Sequence, residues 1–204
     1  GMTETNMNTS NPYDGDRLPG SVGLPLPGVD VRITDPEAGS TLPVGATGMI
    51  EVRGPNVFKG YWRLPEKTAS EFRKDGFFIT GDLGRIDARG YVWIVGRNKD
   101  MIITGGLNVY PKEVEDEIDA IAGVTESAVI GLPHPDFGEG VTAVVVARPG
   151  AALSEADLIA QLRQRLAAYK LPKRILFAAE LPRNTMGKVQ KAALRTAHAA
   201  LYGR

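Results

Sequence analysis

The feature that most limits what this chain can fold into is a change of texture at Gly96-Arg97-Asn98-Lys99-Asp100. Before it, glycine and proline punctuate short alternations of apolar and polar residues, and most of the 24 glycines and 14 prolines lie there. That pattern reads as short strands joined by tight turns. Val29 to Ile33 alternates as a half-buried strand does, and Met49 to Arg53 is a second strand between Gly48 and Gly54. Phe77 to Thr80 is a third, and Leu83 to Ile86 with Tyr91 to Val95 flank Asp87-Ala88-Arg89-Gly90 as a hairpin. Pro65 to Phe72 reads as a short helix opened by proline. Residues 1 to 20 are polar and read as loop, a poor opening for an independent domain. Residues 21 to 96 are therefore expected to form a small antiparallel unit, a distorted β-barrel.

After the junction, strands alternate with helices. Met101 to Thr104 reads as a strand, and Pro111 to Ile121 as an acidic helix with Val114, Ile118 and Ile121 on one face. Ala128 to Ile130 and Val141 to Val146 are strands around a loop from Pro133 to Gly140. Ser154 and Asp157 have capping-box spacing, and Leu158, Ile159, Leu162 and Leu166 continue a helix that stops before Pro172. Arg174 to Ala178 is a strand and Lys191 to Tyr202 a last helix. The expected class is mixed α/β (α+β): a β subdomain over 1–98, then a small α+β domain over 99–204.

Composition narrows the chemistry. Lysine plus arginine balances aspartate plus glutamate at 24 each, so bulk charge supports neither a nucleic-acid nor a membrane partner. There are no cysteines, which excludes thiol nucleophiles, disulfides and cysteine metal sites and permits a reducing, cytoplasmic setting. Two histidines, His134 and His198, are too few for a histidine-based metal centre. No apolar run reaches the length of a membrane span.

Five short stretches carry residue types suited to phosphate chemistry. Gly187-Lys188 places a mobile cation after a glycine in a polar loop, suited to a phosphate or carboxylate oxygen, although such a pair is more often a solvated turn. Thr3-Glu4 sets a hydroxyl beside a carboxylate, the pairing that serves a phosphate and its magnesium ion. Thr80-Gly81-Asp82 puts a carboxylate at a strand end, where it can accept from both hydroxyls of a ribose. Arg97 to Asp100 suits either a solvated linker or a hinge. Gly105-Gly106-Leu107-Asn108 is a tight turn or a place where a ligand lies along bare backbone. His134, between prolines, and the basic set Lys170, Lys173 and Arg174 are assigned no role.

Singly these signals are weak, but their order is specific. Gly1-Met2-Thr3-Glu4, Gly48 to Gly54 with Gly60-Tyr61-Trp62, Thr80-Gly81-Asp82, Gly96 to Asp100, Gly105-Gly106 and Gly187-Lys188 occur in the succession seen in the adenylate-forming superfamily. The runs Ile102 to Pro111 and Gly131 to Pro135 look most like acyl-CoA synthetases. Thr3 to Pro12 followed by Pro19 to Gly23 is similar to malonyl-CoA synthetases.

The resemblance implies an enzyme that activates a small carboxylic acid, malonate or methylmalonate, with ATP and Mg2+ to an acyl-adenylate. It then passes the acyl group to CoA. Mapped by motif, Lys188 is catalytic and bridges the carboxylate and the α-phosphate. Thr3, Asp82 and Arg97 bind the nucleotide, Glu4 holds the metal, and Lys99 is the hinge of a mobile C-terminal domain. Gly105, Gly106 and Leu107 line the path of the CoA pantetheine arm. The resemblance also implies that the chain is the end of a larger enzyme, whose N-terminal part carries the glycine-rich phosphate loop and most of the acid pocket, and that it is inactive alone. A carrier-protein-loading adenylation domain and a truncated non-catalytic module are the alternatives.

Overall fold

The computed structural model describes residues 1–203. The chain divides into two compact units, Gly1–Lys99 and a second from Asp100 onward, each with its own core.

In the first unit, β1 (Thr9–Ser10) and β2 (Leu24–Pro25) pair as a two-stranded antiparallel ribbon. β3 (Asp30–Thr34), β4 (Gly48–Arg53), β5 (Phe78–Ile86) and β6 (Val92–Arg97) follow as a four-stranded antiparallel sheet in that order. Helix α1 (Pro65–Glu71) lies between β4 and β5 in the chain and opens on its proline. The sheet is open rather than a closed barrel. β6 meets the ribbon only through a bridge between Gly23 and Val92, and among the described residues no ladder joins β1 to β3.

Alternation along β3 and β4 sends Val31, Ile33, Ile50 and Val52 to one face, where they pack with Val29 and Val92. The opposite face is not simply solvated. Glu51 is fully buried there, taking Arg32 at 2.8 Å, Arg73 at 2.7 Å and the Thr34 hydroxyl at 3.0 Å. A buried carboxylate with this many donors is compensated, and removing one donor leaves the charge stranded.

β5 departs from the sequence expectation of two strands. Its register against β4 jumps from Met49–Leu83 to Glu51–Ile79, leaving Thr80-Gly81-Asp82 opposite Ile50. Gly81, at φ +73°, makes this bulge possible, so one strand bends where two were expected.

The second unit begins with β7 (Ile102–Thr104), β8 (Leu107–Val109) and α2 (Pro111–Asp119). β9 (Val124–His134) and β10 (Gly138–Ala147) follow as a long antiparallel hairpin. The expected loop from Pro133 to Gly140 is mostly strand with a tight turn, since Pro133 pairs opposite Glu139. α3 (Glu155–Leu162) is capped by Ser154, whose hydroxyl accepts from the Asp157 amide at 3.1 Å. It ends sooner than its apolar stripe suggests, and a short 3-10 turn at Ala168–Lys170 intervenes before Pro172. β11 (Arg174–Phe177) runs parallel to β10, and α4 (Lys191–Ala197) is shorter than expected, giving way to turns before Tyr202.

β10 is the centre of this sheet. β9 lines one edge; β11, and β7 at Gly138, line the other. Both faces are covered, so its strands read as nearly unbroken apolar runs. Val129, Val141, Ala143 and Val145 pack against α2 and α3 residues Val114, Ile118, Leu158 and Leu162. Ile130, Leu132, Val144 and Val146 face a smaller cluster with Leu181 and Leu194.

Candidate active site

The bulge in β5 decides where Asp82 stands. Thr80 donates its hydroxyl to the Ile50 carbonyl at 2.8 Å and accepts from the Asp82 amide at 3.1 Å. The strand is thereby pinned on both sides of Gly81. Asp82 is the direct cross-strand partner of Arg97, and Arg97 Nε lies 2.6 Å from Asp82 Oδ1. The structure thus brings these two sequence-predicted residues together. With Met2, Thr9, Ile50, Thr80 and Val92, Asp82 lines a cavity of about 50 Å³.

Thr3 and Glu4 lie in a tight loop closed by the Met2–Asn6 bridge, with Asn6 at φ +51°. Thr3 is exposed, and Glu4 is half-buried. Tyr61, which the sequence left without a role, meets Glu4, and Glu71 joins them through the same hydroxyl. The Tyr61 hydroxyl lies 2.7 Å from Glu71 Oε2 and 3.3 Å from Glu4 Oε1. Burial, and then the two carboxylates, push this phenol far above its ordinary range. Glu71 is the last residue of α1.

In the second unit Lys188 rides on a small pre-folded loop. Asn184 Oδ1 accepts from the amides of Met186 at 3.0 Å and Lys188 at 2.9 Å, an Asx-type turn. The Asn184 amide bonds the Lys188 carbonyl at 2.9 Å, and Gly187 supplies the left-handed residue at φ +76°. Arg183 braces the loop through the Gly187 carbonyl at 2.7 Å and through an ion pair with Glu126. The Lys188 side chain is exposed, and its ammonium forms no ion pair among the described residues.

Gly105 and Gly106 are the two central residues of the β7–β8 hairpin, with φ +57° and +78° and Thr104 opposite Leu107. That is the turn in which both central residues need positive φ, so its geometry alone accounts for a glycine pair. Leu107 is half exposed beside it. The hairpin is held by the Phe137 carbonyl, which accepts from the Gly105 amide at 2.8 Å, and by Glu139, which accepts from the Ile103 amide at 2.7 Å. Lys99 is exposed within the single 3-10 turn Asn98–Asp100. Asp100 is anchored by Arg195 of α4 at 2.8 Å.

Comparison with known proteins places this arrangement. MatB from Rhodopseudomonas palustris with ATP bound is 68% identical, with a TM-score of 0.96 over 99% of this chain and 40% of that one. The apo form of MatB, 69% identical, gives a TM-score of 0.77, so the two solved forms of that relative differ from each other over this region. A long-chain-fatty-acid–CoA ligase of Yersinia pestis is 43% identical over 196 residues, covering 96% of this chain and 34% of that protein. A malonate–CoA ligase of Arabidopsis thaliana is 42% identical over 206 residues, covering 96% of this chain and 33% of that protein. The chain therefore spans between a third and two-fifths of the length of these relatives. The AMP-binding enzyme description matches residues 1–62 and that of the AMP-binding enzyme C-terminal domain matches residues 113–188; with the succession of motifs between them, the chain belongs to the AMP-binding enzyme family.

Proposed function

We propose that this chain is the working C-terminal portion of an ATP-dependent acid–thiol ligase. In the first step a carboxylate oxygen bonds to the α-phosphorus of ATP and pyrophosphate leaves. In the second the CoA sulfur attacks the acyl carbon, AMP leaves, and the thiol proton is lost to solvent. A small acid, malonate or methylmalonate, is the favoured substrate. The malonate–CoA ligase relative supports it, while the long-chain relative shows how far the acid varies among proteins of similar identity.

The reading rests above all on Lys188: an exposed ammonium, without an ion pair among the described residues, on a loop whose backbone is already fixed. The first step brings two anions together, so its barrier is largely repulsion and positioning. A cation that touches both lowers it. Asp82 would take the ribose hydroxyls while Arg97 holds its other side and reaches the phosphate or ribose. Thr3 would donate to a phosphate oxygen. Magnesium bound through nucleotide phosphates needs only one or two protein carboxylates and keeps several waters. Glu4 beside the Thr3 hydroxyl fits that demand, and among the described residues no cluster suits a cage made by protein alone. When bound, the ion would neutralise phosphate charge. Rotation at Lys99 would then exchange the Lys188 loop for the Gly105–Leu107 hairpin, along which the pantetheine arm lies.

The test is a hybrid in which this chain replaces the matching 40% of MatB. Lys188→Ala should lower ATP–pyrophosphate exchange by about 10² to 10³ while sparing thioester formation from a supplied acyl-adenylate. Equal loss of both steps would overturn the assignment. In the intact ligase that carries this chain, a screen of mono- and dicarboxylates reads the acid directly, and a long-chain acid as best substrate would remove the malonate reading.

A further inference from the structure

The loop that carries Thr3 and Glu4 does not hold itself. Asn56, some fifty residues away, donates its amide nitrogen to the carbonyls of Thr5 at 2.7 Å and Met7 at 3.1 Å and to Asn8 Oδ1 at 2.9 Å. The Phe58 amide donates to the Glu4 carbonyl at 2.8 Å. Tyr61 reaches the Glu4 carboxylate. Three residues within six positions thus grip the loop by backbone and by side chain. We propose that Asn56–Tyr61 is a clamp that orients Thr3 and Glu4, and that Tyr61 and Glu71 are positioning residues for the Glu4 carboxylate.

The chemistry of the phenol gives the clamp a direction. Tyr61 has one hydroxyl hydrogen, and two carboxylates compete for it. Glu71, at 2.7 Å, keeps the stronger bond; Glu4, at 3.3 Å, keeps a weak one. Glu4 is therefore parked: confined to one direction, yet released at little cost when a divalent cation offers a better contact. Glu71 adds negative charge one phenol away, which favours that cation. Lys67, whose ammonium lies 4.2 Å from the centre of the Tyr61 ring, limits the excess. The Tyr61 ring packs edge-on with that of Phe58, with centroids 4.9 Å apart, which confines the parking place. Outer-shell partners of this kind set metal affinity without touching the metal.

This inference rests on the proposed metal role of Glu4, and the experiment separates the two. In the MatB hybrid, the Mg2+ concentration giving half-maximal pyrophosphate exchange is measured for Glu4→Gln, Tyr61→Phe and Glu71→Gln. In the 204-residue chain, amide hydrogen exchange is measured for Asn56→Ser and Tyr61→Phe. Tyr61→Phe and Glu71→Gln should each raise the Mg2+ requirement about tenfold, and the double variant no further, because both act through one phenol. Asn56→Ser should raise exchange about tenfold at Thr5 and Met2 while leaving the β4–β5 ladder protected. If Glu4→Gln shifts the Mg2+ requirement and Tyr61→Phe does not, the positioning role is overturned. If Glu4→Gln leaves it unmoved, the metal role in the proposed function falls; the clamp is then decided by exchange, and unchanged protection at Thr5 would overturn it too.

Discussion

Asp87 shows how much one side chain can organise. Its carboxylate accepts from the amides of Arg89 at 2.9 Å and Tyr91 at 3.0 Å and from the Trp93 indole at 2.9 Å. Those donors, the indole first, hold its carboxyl below the usual carboxylate range. A depressed carboxyl contributes stability above its unfolded value and loses it as pH falls through the folded one. Asp87→Asn should therefore destabilise the chain at pH 7, and urea unfolding repeated at successively lower pH should show the difference from wild type closing below the carboxylate range. An offset that stayed constant with pH would mean that charge is not what the turn uses. The sequence makes the Asp87–Gly90 hairpin plain, because turn residues act locally. It does not reveal that Glu51, alternating as a surface residue in β4, is buried, because its partners Arg32 and Arg73 lie 19 and 22 residues away. Nor does it pair Tyr61 with Glu4 across 57 positions. Local chemistry is legible in one dimension; buried polar partnership is a property of the fold.

Among elements, the β7–β8 hairpin depends on a neighbour that lacks a side chain. A Cβ built on Gly131 would stand 2.4 Å from Glu139 Oε1 and 3.1 Å from Ile102 Cγ2. Gly131 thus leaves room for the carboxylate that caps the Ile103 amide. Gly131→Ala should cost roughly 1–3 kcal/mol in urea unfolding, as overpacking does. Adding Glu139→Ala should make the total loss less than the sum of the two single losses, because the clash then loses its nearest partner. Simple additivity would show that the two positions do not meet. Element boundaries differ from the sequence expectation where one residue type has two structural uses. Gly81 looks like a strand terminator because glycine usually is one, yet here it is the bulge within β5. Pro133 looks like loop, yet it occupies a strand position opposite Glu139. The barrel expected from many short strands is an open sheet, since closure depends on a pairing that no local pattern encodes.

For the molecule as a whole, the two units have separate cores, and the second is itself divided in two. The proposed exchange of two surfaces at one site requires that the backbone change be taken up at Lys99, with Asp100 kept in place by Arg195. Lys99→Pro in the MatB hybrid should reduce thioester formation several-fold more than pyrophosphate exchange, since a fixed φ removes one of the two rotations available. An unchanged ratio between the two rates would move the pivot elsewhere. The division of the second unit carries one more consequence. The Lys188 loop is mounted on the thinner layer, where Leu181 and Leu194 meet the back of the sheet, and not on the thicker one built around α2 and α3. Loosening that veneer at Leu181 or Leu194 would disturb the mounting of the lysine without touching the lysine itself, a mechanical fault with a chemical symptom.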